Sequence, residues 1–163
     1  MIKHILSCYA GSLKATPIMA YLRVVPAVIN GVEEEEVLLD SGSQIVSMTK
    51  KVATANKVSW NPSLSIQMQS VNRSLSRTCG LARNVPFTLG GVTVLLQVHV
   101  MNAAPYTVLL GKPFDTITES RIVNDKKGNQ TMCITCLNTR NKVAVLTYKR
   151  GELPRKVENL ANF

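Results

Sequence analysis

After residue 20, the chain alternates between short runs of apolar residues and small groups of turn-forming residues. Asn30-Gly31 and Gly90-Gly91 each separate two such runs, and both pairs tolerate the positive φ angles of a tight hairpin turn. Residues 72–74 and 138–141 interrupt the apolar pattern in the same way. A chain with turns this frequent leaves little room for helix, so the sequence predicts four hairpins in a compact β-barrel or sandwich.

The predicted strands are apolar runs bounded by these turns, and they cover residues 21–29, 65–71, 75–81, 85–89, 92–101, 107–110, 131–137 and 142–148. The acidic run 33–36 and the apolar residues after it form the strand that returns from the first turn. Pro26 lacks an N–H, which predicts an edge or bulge position. Two short helices are predicted, one at 49–57 with Ser47 or Thr49 as N-cap and one at 113–118.

Length and hydropathy limit the class of protein. The chain has 163 residues, of which 45% are hydrophobic, and this content excludes a disordered protein. No apolar run approaches the roughly 20 residues of a membrane span. The apolar stretch at the start of the chain is too short for a secretory signal. We therefore expect a soluble, cytoplasmic protein that contacts no membrane. One domain at 21–148 is expected between an N-terminal extension at 1–20 and a basic C-terminal tail at 149–163.

Positive charge is concentrated towards the C-terminal end. The chain has 19 Lys and Arg against 10 Asp and Glu, and residues 121–163 contain nine basic and three acidic residues. Such a segment fits either a weak, salt-sensitive contact with RNA or DNA or a solubilising tail.

The cysteines do not predict a metal site. Cys133 and Cys136 form a C-x-x-C pair inside a predicted strand, where positions three apart point to opposite faces. There is no second pair, and His4 and His99 are the only histidines. We expect reduced cysteines, no bound metal and no cofactor.

The residue that most invites a chemical interpretation is Asp40. It directly follows three apolar residues and leads into Ser41, Gly42 and Ser43. A carboxylate at the end of a buried strand loses solvation and needs hydrogen bonds, which these residues can supply. An alternative interpretation is an ordinary Asx turn without chemistry.

A second segment repeats the pattern around Asp40. Residues 37–42 read Val-Leu-Leu-Asp-Ser-Gly, and residues 108–113 read Val-Leu-Leu-Gly-Lys-Pro. With residues 80–87 and 96–100, these segments resemble the retropepsin-type aspartic proteases, especially protease domains in the polyproteins of fungal gypsy-type retrotransposons. The resemblance covers about residues 20–148 and implies a closed all-β barrel with one or two short helices.

The resemblance implies a role for each residue of this pattern. Asp40 would be the catalytic aspartate, and Leu110 and Gly111 would support its loop. The chain has one Asp-Ser-Gly, and Gly111 stands where a second acid would be needed. The active form would therefore be a symmetric homodimer with one Asp40 from each subunit. Ser41 would then bond across the dimer axis, Gly42 would allow the turn, and Ser43 would bond the carboxylate.

The turn at Asn72, Arg73 and Ser74 would be the tip of a flap that closes over the substrate. Retroviral relatives have a glycine-rich tip, whereas this tip has no glycine. The alternative is an ordinary surface turn.

These expectations combine into an aspartic endopeptidase that cuts extended polypeptide, most simply its own parent polyprotein. Two alternatives remain open at this point. One is a non-catalytic, protease-like dimerisation or peptide-binding module. The other is a basic nucleic-acid-binding domain.

Overall fold

The strands follow the chain closely, as the frequent turns require. The computed structural model describes residues 15–17, 19–70 and 72–154. In chain order its elements are β1 (Arg23–Ile29), β2 (Glu33–Leu39), β3 (Val46–Thr49), α1 (Lys50–Ala55), a 3₁₀ turn (Pro62–Leu64), β4 (Gln67–Gln69), β5 (Leu75–Arg77), β6 (Gly80–Leu89), β7 (Val92–Met101), β8 (Val108–Leu110), α2 (Lys112–Thr118), β9 (Arg121–Asn124), β10 (Gln130–Thr135), β11 (Lys142–Leu146) and β12 (Tyr148–Lys149).

Six of these strands close into a barrel. The strand order is β1-β2-β8-β3-β7-β6, and the pairs Val28–Thr88 and Ile29–Phe87 join β6 back to β1. β12 extends the sheet outside the barrel by pairing with the start of β1. The predicted all-β barrel with two short helices is confirmed. The division into an extension, a domain and a tail stays a prediction.

The first hairpin, between β1 and β2, shows how the local sequence determines the turn and the strand pairing. Asn30 and Gly31 adopt φ angles of 52° and 67°, the combination of a type I′ turn, and the Val32 N–H donates to the Ile29 carbonyl at 3.0 Å. Pro26 pairs with Glu36 on the β2 side. On its other side, β12 pairs with residues before it and β6 with residues after it. Pro26 therefore occupies a gap where no N–H is needed.

The barrel interior is filled by alternate residues of the long strands. Along β7, the five residues Val92, Val94, Leu96, Val98 and Val100 are buried, while their neighbours are exposed or half-buried. Phe87 and Phe114 are the largest fully buried side chains. Because Phe114 belongs to α2, its burial fixes this short helix to the barrel. α1 begins after Thr49, whose hydroxyl accepts the Val52 N–H, so Thr49 and not Ser47 is the N-cap.

Two smaller sheets stand beside the barrel. β4 and β5 form the predicted hairpin with shorter strands than expected, and Val71 lies outside the described residues. The other sheet has the order β11-β10-β9, with Met132, Ile134 and Val145 packed into the barrel core. The strands β3 and β9 are not among the sequence predictions, since four residues are too few to show a period.

Three of the cysteines can be located. Cys79, Cys133 and Cys136 are free thiols, and Cys8 lies outside the described residues. Within the described ranges, no helix has the length and apolarity to cross a bilayer.

Candidate active site

Asp40 lies directly after the end of β2, at a point where two parallel strands are in register. β2 pairs with β8 through Leu38–Leu109 and Leu39–Leu110. The next main-chain N–H, that of Asp40, donates to the Leu110 carbonyl at 3.0 Å. The strand ladder therefore fixes the backbone position of Asp40, although the residue is outside both strands.

The loop after Asp40 turns tightly around its carboxylate. The Gly42 N–H donates to Asp40 Oδ1 at 3.0 Å, and the Ser43 N–H donates to the Asp40 carbonyl at 3.0 Å. A Cβ on Gly42 would lie 3.2 Å from the same Oδ1, so a glycine suits this approach. Asp40 Oδ2 accepts no hydrogen bond from any described residue. One carboxylate oxygen is thus fixed by the loop, and the other remains available to a ligand or water.

Gly111 allows a second segment to pack directly against this loop. A Cβ at this position would lie 2.0 Å from the Ile45 carbonyl oxygen and 2.7 Å from that of Ser43. The Lys112 N–H donates to the Ser43 carbonyl at 2.7 Å. Residues 110–112 therefore hold the loop 40–43 at both of its ends. Any side chain at Gly111 would push this segment away from the loop.

The two serines of the loop have different surroundings. The Ser43 hydroxyl donates to the Ile45 carbonyl at 3.1 Å and accepts the Ile45 N–H at 3.4 Å. It forms no hydrogen bond with the outer oxygen of the Asp40 carboxylate, as the resemblance implied it would, because the turn directs it towards Ile45. Ser41 is exposed, and its hydroxyl has no hydrogen-bond partner among the described residues.

Asp40 and Ser41 form one wall of a pocket of about 350 Å³. α2 contributes Lys112 and Asp115 to this pocket, and β9 contributes Ile122. No motif in the sequence predicts a place for these residues in the site. The available signal was weak, since Asp115 is simply one of three aspartates and lies in the helix that follows Gly111. Its carboxylate accepts the Ser120 hydroxyl at 2.6 Å.

The residues predicted at the flap tip lie on the separate β4–β5 hairpin. Asn72, Arg73 and Ser74 are exposed, and Arg73 adopts a φ of 62°. Ser70 and Ser74 donate their hydroxyl protons to Asn72 Oδ1, which ties the tip together without a glycine. Among the described residues, no hydrogen bond joins this tip to the Asp40 loop.

In the part of the chain that the structure describes, no group of three or more His, Cys, Asp or Glu side chains could hold an ion.

Comparison with known proteins agrees with this geometry. The family model described as aspartyl protease matches residues 25–114, more than half of the chain, and this interval contains both Asp40 and Gly111. No curated protein matches the chain. Among solved structures, the retroviral protease-like domain of Ddi1 from Leishmania major is similar, with a TM-score of 0.58 and 21% identity over 83% of this chain and 100% of that chain. This likeness shows a shared retroviral protease-like fold. The extent of the family match, with its Asp-Ser-Gly loop braced by Gly111, shows that the chain belongs to the aspartyl protease family.

Proposed function

We propose that the chain is an aspartic endopeptidase that hydrolyses peptide bonds of extended polypeptide. The active form would be a homodimer in which Asp40 of one subunit faces Asp40 of the other. The observation that carries the proposal is the braced loop, which fixes one oxygen of a half-buried carboxylate and leaves the other oxygen open to a pocket. Family membership supports the same chemistry.

The chemistry explains why two carboxyl groups are needed. Two carboxylates in contact cannot both ionise, so one keeps a proton. The ionised Asp40 takes a proton from water, and the water oxygen forms a bond to the scissile carbonyl carbon. The protonated Asp40 gives its proton to the carbonyl oxygen. The Asp40 that took the proton from water then donates it to the nitrogen as the C–N bond breaks, and the other Asp40 recovers a proton from a hydroxyl of the tetrahedral intermediate. Both products then leave with the dyad restored.

A homodimer is supported by the surface around Asp40. Leu22, Ile122 and Val123 are 62%, 42% and 58% exposed, and Leu22 and Ile122 line the same pocket as Asp40. In the described part of the chain, β9 pairs only with β10, so its other edge has open N–H and C=O groups. An apolar edge strand is prone to pair with a second strand. The β9 edges of two copies would then meet beside their Asp40 residues.

The substrate would bind as an extended strand between the loop and the β4–β5 hairpin, through main-chain hydrogen bonds. The hairpin tip at residues 72–74 would act as the flap, and Ser41 would bond to the partner's loop. The likeness of the sequence to gypsy-type retrotransposon proteases supports a parent polyprotein as the natural substrate. Such processing would take place in the cytoplasm, without a cofactor.

The decisive variant is Asp40→Asn, which keeps the size of the side chain and removes its charge. Asp125→Asn is the matched control, because it makes the same change on a hairpin turn outside the Asp40 pocket. We expect Asp40→Asn to abolish cleavage of a denatured protein, with sedimentation mass and circular dichroism unchanged, and Asp125→Asn to retain cleavage. A statine peptide should inhibit the wild type.

The same assay separates the alternatives. Full activity of Asp40→Asn would refute the mechanism. A wild-type dimer that neither cleaves nor binds the statine peptide would favour a non-catalytic module.

A further inference from the structure

A basic depression lies at one end of the β9–β10 hairpin, next to the Asp40 pocket. We use this name for the cavity of about 670 Å³ between residues 15–17 and 19–21, Arg23, the turn 125–128 and Lys149. These segments are distant in sequence, and the pairing of β12 with β1 brings Lys149 opposite Arg23. The fold thus collects cations that the sequence separates.

The charge in this depression is strongly positive. Arg23, Lys126, Lys127 and Lys149 line it, with Asp125 as its acidic residue. Among the described residues, neither Lys126 nor Lys127 forms an ion pair. Their ammonium groups are exposed and able to bind an anion.

Asp125 forms no ion pair with these lysines in the described part of the chain, because hydrogen bonds from its own turn hold its carboxylate. Its Oδ1 accepts the N–H groups of Lys127 and Asn129 at 2.8 and 2.9 Å, and its Oδ2 accepts the Asn129 side-chain amide at 2.8 Å. These hydrogen bonds, with the Asn129 amide foremost, lower the pKa of Asp125. The carboxylate therefore shapes the turn and holds the adjacent lysines at its tip.

An aromatic ring stands among the cations. Tyr21 lines the depression and is 58% exposed. The Lys149 ammonium lies 5.1 Å from the centre of its ring. A ring has two faces, so the other face can stack on a planar group while Lys149 contacts a neighbouring anion.

We propose that the basic depression binds single-stranded nucleic acid, with Lys126, Lys127 and Lys149 on backbone phosphates and the Tyr21 ring stacked on a base. Cations combined with an exposed aromatic ring are the elements that bind single strands without sequence preference. A run of Asp or Glu side chains would use the lysines but would offer no aromatic base to stack on the ring. The proposal is independent of proteolysis by Asp40.

The test uses the full chain and a fluorescently labelled single-stranded RNA of mixed sequence, titrated at several salt concentrations. The charge-reversal variant is Lys126→Glu with Lys127→Glu. Its control is Lys50→Glu with Lys51→Glu, which changes net charge equally at the exposed start of α1. Circular dichroism verifies that both variants fold.

We expect the variant at 126 and 127 to lose at least about tenfold in affinity and to flatten the plot of log affinity against log salt by about 0.7 for each lost phosphate contact. The control should stay within about twofold of the wild type. Tyr21→Leu should lower affinity about tenfold without changing the salt slope, because stacking releases no counterions.

Three results would overturn the proposal. The first is a wild type that does not bind the RNA at physiological salt. The second is an equal loss in both double variants, which would assign binding to net charge. The third is displacement of the RNA by polyglutamate at equal charge concentration, which would assign the surface to acidic peptides.

Discussion

The main-chain N–H of Asp40 donates a 3.0 Å hydrogen bond to the carbonyl oxygen of Leu110. This bond continues the parallel ladder of β2 and β8 one residue beyond the end of β2. The candidate catalytic residue is thereby tied to the segment that contains Gly111, whose missing side chain allows the two loops to touch. The position of Asp40 depends on both halves of the chain.

Replacement of Gly111 by alanine should disrupt this contact. The new Cβ would meet the Ile45 carbonyl oxygen at 2.0 Å, and backbone cannot move aside easily. We expect a loss of about 3 kcal/mol in the free energy of unfolding, measured by urea denaturation, together with loss of cleavage. Gly31→Ala, with a φ of 67° and no atom within 4 Å, is the control and should cost only about 1 kcal/mol. An equal or smaller loss at Gly111 would contradict the bracing role.

A charge on the open edge of β9 should separate the proposed dimer. We expect Ile122→Lys to shift the sedimentation mass from dimer to monomer and to abolish cleavage, because burying the ammonium group at the interface is costly. Leu146→Lys is the matched control, since Leu146 is 64% exposed on β11 at the other edge of the same sheet. A monomeric wild type with full activity would exclude the shared dyad. If the Ile122→Lys variant is still a dimer, the β9 edge is not the dimer interface.

The rate of cleavage should follow a bell-shaped curve with its maximum on the acidic side of neutral pH. The reaction needs one ionised and one protonated carboxyl group, so it slows when both are protonated and when both are ionised. The measurement is kcat/KM for one peptide across the pH range. A rate that rises steadily into alkaline solution would point to a different catalytic group.

His99 should make the fold less stable in acid. Its Nδ1 is buried and has no hydrogen-bond partner among the residues that the structure describes, and burial lowers the pKa of its imidazole. It lines an apolar groove with Ile45, Pro113 and Ile117, and none of the described residues that line this groove is charged. The unfolded state therefore binds a proton at His99 more readily than the folded state does. The free energy of unfolding is highest above the ordinary histidine pKa, and part of it is lost as the pH falls below that value.

The variant His99→Leu tests this expectation. The free energy of unfolding of the wild type should fall more than that of the variant between pH 7.5 and pH 5. These values lie about one unit above and about one and a half units below the ordinary histidine pKa. Groups common to both proteins cancel in the comparison. Equal losses would show that His99 does not contribute to acid sensitivity.

The sequence predicted those parts of the fold that depend on local conformation. Asn30-Gly31 and Gly90-Gly91 specify their hairpins because these residues accept positive φ angles, and all four are observed at such angles. Thr49 and Pro113 mark the starts of the two helices for similarly local reasons. The strands β3 and β9 were not predicted. Four residues are too few to show an alternation of apolar and polar residues, and pairing with neighbouring strands determines their conformation.

The candidate site likewise contains some residues that the sequence predicted and others that only tertiary packing brings together. The abrupt change from three apolar residues to Asp-Ser-Gly singled out Asp40, and the resemblance to retropepsin-type proteases assigned the support of its loop to Leu110 and Gly111. Lys112, Asp115 and Ile122 join the pocket only because α2 and β9 pack beside the loop. The resemblance implies a bond from the Ser43 hydroxyl to the Asp40 carboxylate, whereas the turn directs this hydroxyl to the Ile45 carbonyl.

The sequence alone therefore determined the all-β class, the hairpin turns and the identity of the unusual aspartate, since backbone preference and desolvation are properties of a few adjacent residues. Only the tertiary structure decided which distant groups surround that aspartate, and which lysines converge near Tyr21. The reason is physical: contacts across the barrel depend on strand register, and register is fixed by the packing of the whole core.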